Sequence, residues 1–353
     1  MKEVVMVIKP GNVGDHLCAL PFYLALAHRH GPLVLVTQKG RAGNPGAKDL
    51  FRSWSPFDAI VDLATPVWSG ENKSILKGLK SHYRPKRVIH VPVEDYSTLR
   101  TIGLHGFWSG VFGPDVVGFL PVAERRKRRE LAQNGRLRTE ATRLLEWGTT
   151  KLGLEPVDPE PVVAEWLTLI RTSCRRDVID GPFVLIAAGS NDSIKRWPLD
   201  RYVQIAEHIE SDLHLTPVWV GSLSDRATLE GAGHQIPGIS LIGKTTLEEM
   251  LLLTSEAQLV VSNDSMAGHM AALTKTPCIS VFSGRTLPGL WWPHNAEGTV
   301  IQKRVPCEGC ELRVISDCAK GHVCMETITT REVAALVEAK LRWVASDRPI
   351  AAS

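Results

Sequence analysis

Short β-branched runs recur along this chain with room for about one helix between each pair, and that alternation restricts the fold more than any other feature. Val4–Ile8, Leu33–Thr37, Ala59–Leu63 and Val88–Val93 read as strands, with a helical pattern from Asp15 to His30 after the first and less regular sequence around Lys73–His82. The rhythm breaks between Pro121 and Asp180. There a basic run is followed by helical stretches near Thr139–Leu152 and Val163–Cys174, separated by the proline-rich piece Glu155–Pro161. It then returns with strands at Phe183–Ala188, Thr216–Val220, Ile239–Ile242, Leu259–Ser262 and Cys278–Phe282. Helices are expected between them at Pro198–Ile209, Asp225–Gly233, Leu247–Ala257 and Ser265–Leu273, and a last one at Thr330–Val344. Strand–helix alternation with short links specifies parallel, doubly wound sheets. The break specifies two of them, so the expected domains are 1–165, 166–328 and a closing helix with its tail at 329–353.

A length of 353 residues suits two such domains. Hydrophobic content of 44% and charged content of 22% are those of a globular chain, and no apolar stretch is long enough for a membrane span. Met1–Ile8 lacks the zones of a secretory signal, so the cytoplasm is the expected compartment. Net charge is only +3, too small to argue for nucleic acid as a partner. The charge is nevertheless uneven: Glu124–Arg138 holds seven Lys or Arg against two Glu, including Arg125 and Arg126. Such a run reads either as a solvated face or as a contact for an anionic partner.

Chemistry concentrates in four places. Lys9-Pro10-Gly11-Asn12-Val13-Gly14-Asp15-His16 joins the first strand to the first helix, where open α/β sheets bind ligands. Asp15 can act there as a general base or merely cap the helix, and the two roles are compatible. Gly189-Ser190 through Lys195-Arg196-Trp197-Pro198 is a hydroxyl-rich turn before a helix. It reads as a phosphate contact through backbone amides, serines and Lys195, or as an ordinary capped loop; it lacks the glycine spacing of a Walker loop. Asn263-Asp264-Ser265-Met266-Ala267-Gly268-His269 places unpaired helix amides beside a carboxylate, a hydroxyl and an imidazole. That suits a diphosphate; the plainer reading is a tightly packed helix capped by Asp264 or Ser265. Finally, Cys307, Cys310, Cys318 and Cys324 fall within 18 residues. They read as a structural zinc or iron site, as two disulfides or as free thiols. Cys18, Cys174 and Cys278 lie among apolar neighbours and read as packing residues.

Together these stretches resemble glycosyltransferase family nine, the ADP-heptose:lipopolysaccharide heptosyltransferases. The match is carried by Gly14-Asp15 with Leu20-Pro21, by Gly189-Ser190 with Lys195-Arg196-Trp197-Pro198, and by Asn263-Asp264-Ser265 with His269-Met270-Ala271-Ala272. Pro277, Trp291-Trp292-Pro293 and the late cysteines follow in the family's order. The resemblance implies an α/β chain of GT-B fold, with two Rossmann-like domains whose parallel sheets face a central cleft. It also implies inverting sugar transfer with no catalytic cofactor or metal.

In that scheme Asp15 is the base and Lys195 contacts the leaving group. Gly189, Ser190, Lys195, Asp264, Ser265, Met266 and His269 bind an ADP-linked donor, with Asp264 on the sugar hydroxyls. Gly14, Asp15, Arg125 and Arg126 meet an anionic glycan acceptor, expected to be lipopolysaccharide core at the inner membrane. Met266 stands where the family has glycine, which bears on donor choice, and Ser97–Arg175 carries no residue-level match. The alternatives are the same fold acting on a protein, another glycan or modified nucleic acid, or a nucleotide-sugar-binding scaffold without catalysis. A pure binder has no use for a base together with a phosphate-contacting lysine.

Overall fold

The computed structural model describes residues 4–38, 45–92, 98–118, 124–173, 179–226, 236–294 and 298–347. Its contacts divide the chain into two compact units, Met1–Pro161 and Val162–Ser353, parted at the end of the proline-rich piece.

The first unit is built on a five-stranded sheet of β1 (Val5–Ile8), β2 (Leu33–Gln38), β3 (Phe57–Leu63), β4 (Arg87–His90) and β5 (Val116–Gly118). The strands lie in the order β3-β2-β1-β4-β5, and every pair is parallel. The second unit contains β6 (Phe183–Ala187), β7 (Thr216–Trp219), β8 (Ile239–Ser240), β9 (Leu259–Asn263), β10 (Cys278–Phe282) and β11 (Gly298–Gln302). Their order is β11-β10-β9-β6-β7-β8, again all parallel. In both units the chain winds outward from its first strand and then crosses to that strand's other side. The crossing leaves a switch point between β1 and β4 in one unit and between β6 and β9 in the other. Doubly wound sheets bind ligands beyond the carboxyl ends of their strands at such points.

The central strands β1, β6, β9 and β10 are buried on both faces, which is why they read as unbroken apolar runs. Met6, Ile8, Val34, Val36 and Val88 pack with Trp108 in the first unit. Val184, Ile186, Trp219, Val261 and Ile279 form the second core, which Val333 and Val337 of the closing helix Thr330–Asp347 complete. The helix Glu160–Ser173, just past the boundary, is held to the second unit by the Trp166 indole, which donates to buried Glu248 at 3.2 Å.

Several elements differ from the expected plan. Lys73–His82 lies within a full helix, Gly70–Tyr83, and a second helix, Thr98–Phe112, precedes the short strand β5. In the middle of the chain the two expected helices stand at Glu140–Leu152 and Glu160–Ser173, and among the described residues the basic run adds another, Glu124–Asn134. Edge strand β11 carries no strong sequence signal, and β8 is only two residues long. Of the helix expected at Asp225–Gly233, residues 223–226 are helical and the rest lies outside the described residues, as do Cys174 and the tail after Asp347.

Candidate functional site

In the first unit, the turn after β1 leads into the helix Val13–His30. Its Asp15 carboxylate accepts the Asn12 backbone N–H at 2.7 Å, so the capping role is realised. Gly11 makes this possible. Its φ of +147° lies in glycine territory, and a Cβ there would stand 2.7 Å from the Asp15 Cβ. Asp15 and Gly14 are half-buried in the first helical turn. His16 is fully inside, with Nδ1 at 3.0 Å from the Tyr23 hydroxyl and Nε2 at 3.2 Å from Thr37 Oγ1. Burial first, then the charge of buried Lys9, holds its pKa down at about 3, so it is a neutral tie between helix and strand.

In the second unit, the motifs after β6 and β9 meet across the switch point. Lys195, in the short turn Ser193–Lys195, places Nζ 3.0 Å from Asp264 Oδ2, and both side chains are largely buried. Asp264 immediately precedes Ser265, the N-cap of the helix Met266–Leu273, whose hydroxyl makes no cap bond. Met266, half-buried, is the first helical residue. Gly268 lets this helix approach the sheet, since a Cβ would meet Ser280 Oγ at 2.8 Å. His269 is buried one turn on. Desolvation lowers its pKa to about 4, with Asp264 opposing and Lys195 assisting that shift, so the ring is neutral near pH 7 and within the field of both. Lys195, Asp264, Ser265, Met266 and His269 are thus one constellation at a helix N-terminus.

Gly189 and Ser190 are positioned by a residue that sequence reasoning missed. Asp225 sits under Gly189 so closely that a Cβ there would lie 2.4 Å from its Cγ, and its carboxylate also accepts the Ser222 N–H at 2.8 Å. Arg196 Nε donates to the Ser190 carbonyl at 2.9 Å. Asn263 was legible as part of a motif but not as a hub. Its Oδ1 accepts the Trp197 N–H and the Tyr202 hydroxyl, each at 3.0 Å, while Nδ2 donates to the Ala188 carbonyl at 2.6 Å. One side chain therefore locks the ends of β6 and β9 and the start of the helix Leu199–Ser211 together.

The cysteine-rich turn clamps the same turn from outside. Ile194 N–H donates to the Arg313 carbonyl, Ile315 N–H donates to Ser193 Oγ at 3.0 Å, and His322 Nε2 lies 2.7 Å from the Ile194 carbonyl. Buried Arg285 adds a bond from Nε to the Leu312 carbonyl at 2.7 Å. Cys307, Cys310, Cys318 and Cys324 are free thiols, so the disulfide reading is not realised here. Burial pushes the Cys324 thiol pKa up, and the other three thiols add to that rise, so each of them lies within electrostatic reach of Cys324. Cys324 packs inward under Gly284 while Cys310 is exposed. Among the described residues no group of three or more His, Cys, Asp or Glu side chains is gathered closely enough to hold a metal ion.

The basic run forms the helix Glu124–Asn134, on which Arg126 is exposed; the side chain of Arg125 lies outside the described residues. Its Glu130 is taken up by Arg138, through the backbone at 2.7 Å, and by Arg143. Among the described residues no helix is long and apolar enough to cross a membrane.

Residues 143–316 match the family model for glycosyltransferase family 9 (heptosyltransferase). The chain is 31% identical over 114 residues to lipooligosaccharide heptosyltransferase 2 of Haemophilus influenzae, covering 31% of this chain and 32% of that protein. It thus spans about a third of the length of the curated relatives it matches. Its fold is similar to that of the ADP-heptose LPS heptosyltransferase II of E. coli, with a TM-score of 0.66 at 18% identity, covering 98% of this chain and all of that one. It is also similar to an iron-containing dodecameric glycosyltransferase of enterotoxigenic E. coli, with a TM-score of 0.59 at 16% identity, covering 97% and 77% of the two chains. These likenesses show the fold, two Rossmann-like units of the GT-B class.

Proposed function

The chain belongs to glycosyltransferase family 9 through residues 143–316, and from that premise we propose that it is an inverting glycosyltransferase moving heptose from ADP-heptose to a hydroxyl of lipopolysaccharide core. The observation that carries the reading is the Lys195–Asp264 pair at the N-terminus of the helix Met266–Leu273. A buried cation, unpaired helix amides and an uncapped serine converge where a diphosphate would gain most from them. In this scheme Asp15 takes the proton of the acceptor hydroxyl while its oxygen bonds to the anomeric carbon. The bond from that carbon to the diphosphate breaks with inversion. Lys195 and the helix amides stabilise the charge that leaves with ADP. Asp264 exchanges part of its contact with Lys195 for donor hydroxyls, and neutral His269 supports it from below.

Titration calorimetry with ADP, UDP and GDP tests the donor side. ADP is expected to bind in the micromolar range and the others at least about tenfold more weakly, a difference of about 1.4 kcal/mol. Equal binding of all three would remove the ADP assignment, and no binding would remove the donor site. ADP-heptose offered with core oligosaccharides, read by mass shift, then identifies the acceptor.

The finer features of the reading follow the same premise. Cytoplasmic action at the inner membrane accords with Leu99 and Ile102, which share a face of the helix Thr98–Phe112 and are 83% and 55% exposed. A structural zinc or iron at Cys307, Cys310, Cys318 and Cys324 is supported by three thiols within electrostatic reach of Cys324 and by the similarity to an iron-containing glycosyltransferase. A four-thiolate set suits either metal by its chemistry, but no three of these side chains are gathered closely enough to hold one as they stand, so loading requires the whole cluster to draw together. Elemental analysis of protein purified without chelator is expected to show about one metal ion per chain; a metal-free preparation with four titratable thiols would leave them as packing and clamp residues.

A further inference from the structure

The helices Gly70–Tyr83 and Thr98–Phe112 form an outer layer of the first unit whose solvent side has no part in the transfer scheme. Both cover one face of the sheet: Leu76 and Leu79 of the first and Leu104 and Trp108 of the second share a core with Met6, Val34 and Val88. They lie side by side, since Lys80 Nζ donates to the Val111 carbonyl at 2.8 Å.

Among the described residues, every large hydrophobic side chain of the first unit that stands exposed belongs to this layer. Trp68 is in the turn leading into the first helix, Ile75 is on it, and Leu99 and Ile102 are on the second. Ordinary surface hydrophobics are scattered singly. These are gathered. Leu99 and Ile102 are three apart on one helical face, opposite buried Thr101, Leu104 and Trp108. Trp68 and Arg100 border one small cavity at the carboxyl ends of the strands, which sets the Trp68 turn beside the start of the second helix.

The same layer is basic. Lys73, Lys77 and Lys80 form an exposed stripe at helical spacing, and Arg100 is exposed next to Leu99. Residues 70–112 hold seven Lys or Arg against three Asp or Glu, an excess greater than the +3 of the whole chain. Protein interfaces are depleted in lysine and keep charge away from their apolar centre. Tryptophan and aliphatic tips set among lysines and an arginine are instead the composition of a surface that rests in the headgroup zone of a bilayer, its cations on anionic lipids.

Resting on the reading that puts the reaction at a membrane, we infer that this layer docks the protein on an anionic lipid bilayer. Trp68, Leu99 and Ile102 enter the headgroup zone, and Lys73, Lys77 and Arg100 meet lipid phosphates. Pro10, from the turn that leads to Asp15, borders the same small cavity as Trp68 and Arg100. Docking there brings the Asp15 turn to the lipid surface, where a lipid-anchored hydroxyl would be offered to it.

Flotation with phosphatidylcholine vesicles, with and without phosphatidylglycerol, tests the surface, with ADP calorimetry on the same samples. The wild type is expected to bind the anionic vesicles at least about tenfold more tightly than the neutral ones, and high salt should remove most of that difference. Trp68→Ser/Leu99→Ser and Lys73→Gln/Lys77→Gln should each weaken binding to anionic vesicles at least about fivefold. Because all four side chains are exposed, ADP affinity should stay within about twofold and the melting temperature within about 2 °C. Arg126→Gln/Arg128→Gln, on the basic helix Glu124–Asn134, should change vesicle binding less than about twofold. No preference for anionic vesicles, binding indifferent to both double variants of the layer, or a loss confined to the Arg126 variant would overturn the proposal. So would a concentration-dependent dimer in sedimentation velocity that Trp68→Ser/Leu99→Ser breaks up, since a second copy would then cover the surface. Wild-type protein that docks but binds no ADP would sink the donor reading and leave the docking surface standing.

Discussion

Replacing Asp15 by Asn is expected to lower transfer roughly 10³-fold while leaving ADP affinity within about twofold of the wild type. The carboxylate is the group in the turn after β1 that can take a proton, and Asn presents the same shape without that capacity. The substitution separates the two roles of the residue, because Asn Oδ1 can still accept the Asn12 N–H that Asp15 now accepts at 2.7 Å. Only the charge at the helix N-terminus is lost, a stability cost of about 0.5 kcal/mol. Melting curves should therefore nearly coincide with those of the wild type while single-turnover rates collapse. Turnover within tenfold of the wild type would leave Asp15 as a cap and nothing more.

The second large effect is expected at Lys195. Lys195→Met removes the cation that would meet the leaving diphosphate, and loss of one such contact costs roughly 10²–10³ in kcat. It also strands Asp264, whose side chain is only 6% exposed, without its partner at 3.0 Å. Breaking a buried pair from one side costs about 3 kcal/mol, which for a unit of this size lowers the melting temperature by roughly 6–10 °C. His269 supplies an internal reporter. Lys195 helps hold its pKa down and Asp264 pulls it up, so removing Lys195 alone should move the imidazole titration upward in NMR. The double variant Lys195→Met/Asp264→Leu should recover the melting temperature and none of the activity. If the single variant kept both its stability and its rate, the pair would be a surface contact without catalytic meaning.

These expectations rest on motifs that were visible in the sequence because each lies where an apolar strand stops and a helix starts. The ends of β1, β6 and β9 could be found that way, and the parallel topology follows from the same alternation. What could not be read is what depends on partners far along the chain. Asp225 looked like a helix residue and proved to be the floor under Gly189. Asn263 looked like part of an anion site and proved to join two strands and a helix. The helix Thr98–Phe112 was hidden by Gly103, Gly106 and Gly110, which lower helix propensity and blur the apolar stripe. His90 read as an interior residue of one more strand, Val88–Val93, since neither its missing hydrogen bonds nor the Trp108 ring beside it has any sequence signature. Four clustered cysteines suggested a closed ligand set, but spacing says nothing of direction, and Cys324 turns inward where Cys310 turns out.

The clamp on the Lys195 turn has a bearing on synthesis. The His322 imidazole and the Ile194 carbonyl that it meets are 128 residues apart in the chain, and Ser193 and Ile315 are 122 apart. At about 5–20 residues per second, a ribosome reaches His322 at least about six seconds after Ile194. In the later part of that interval, once Asn263 has been made, β6, β7 and β9 can pair, yet the turn that carries Lys195 lacks its outer wall. The proposed donor pocket is therefore among the last parts of the molecule to set. A nascent or truncated chain that stops before the cysteine-rich turn would have a well-formed sheet with an unsupported Lys195 turn above it, so the proposed transfer capacity arrives late, with the final thirty or so residues before the closing helix.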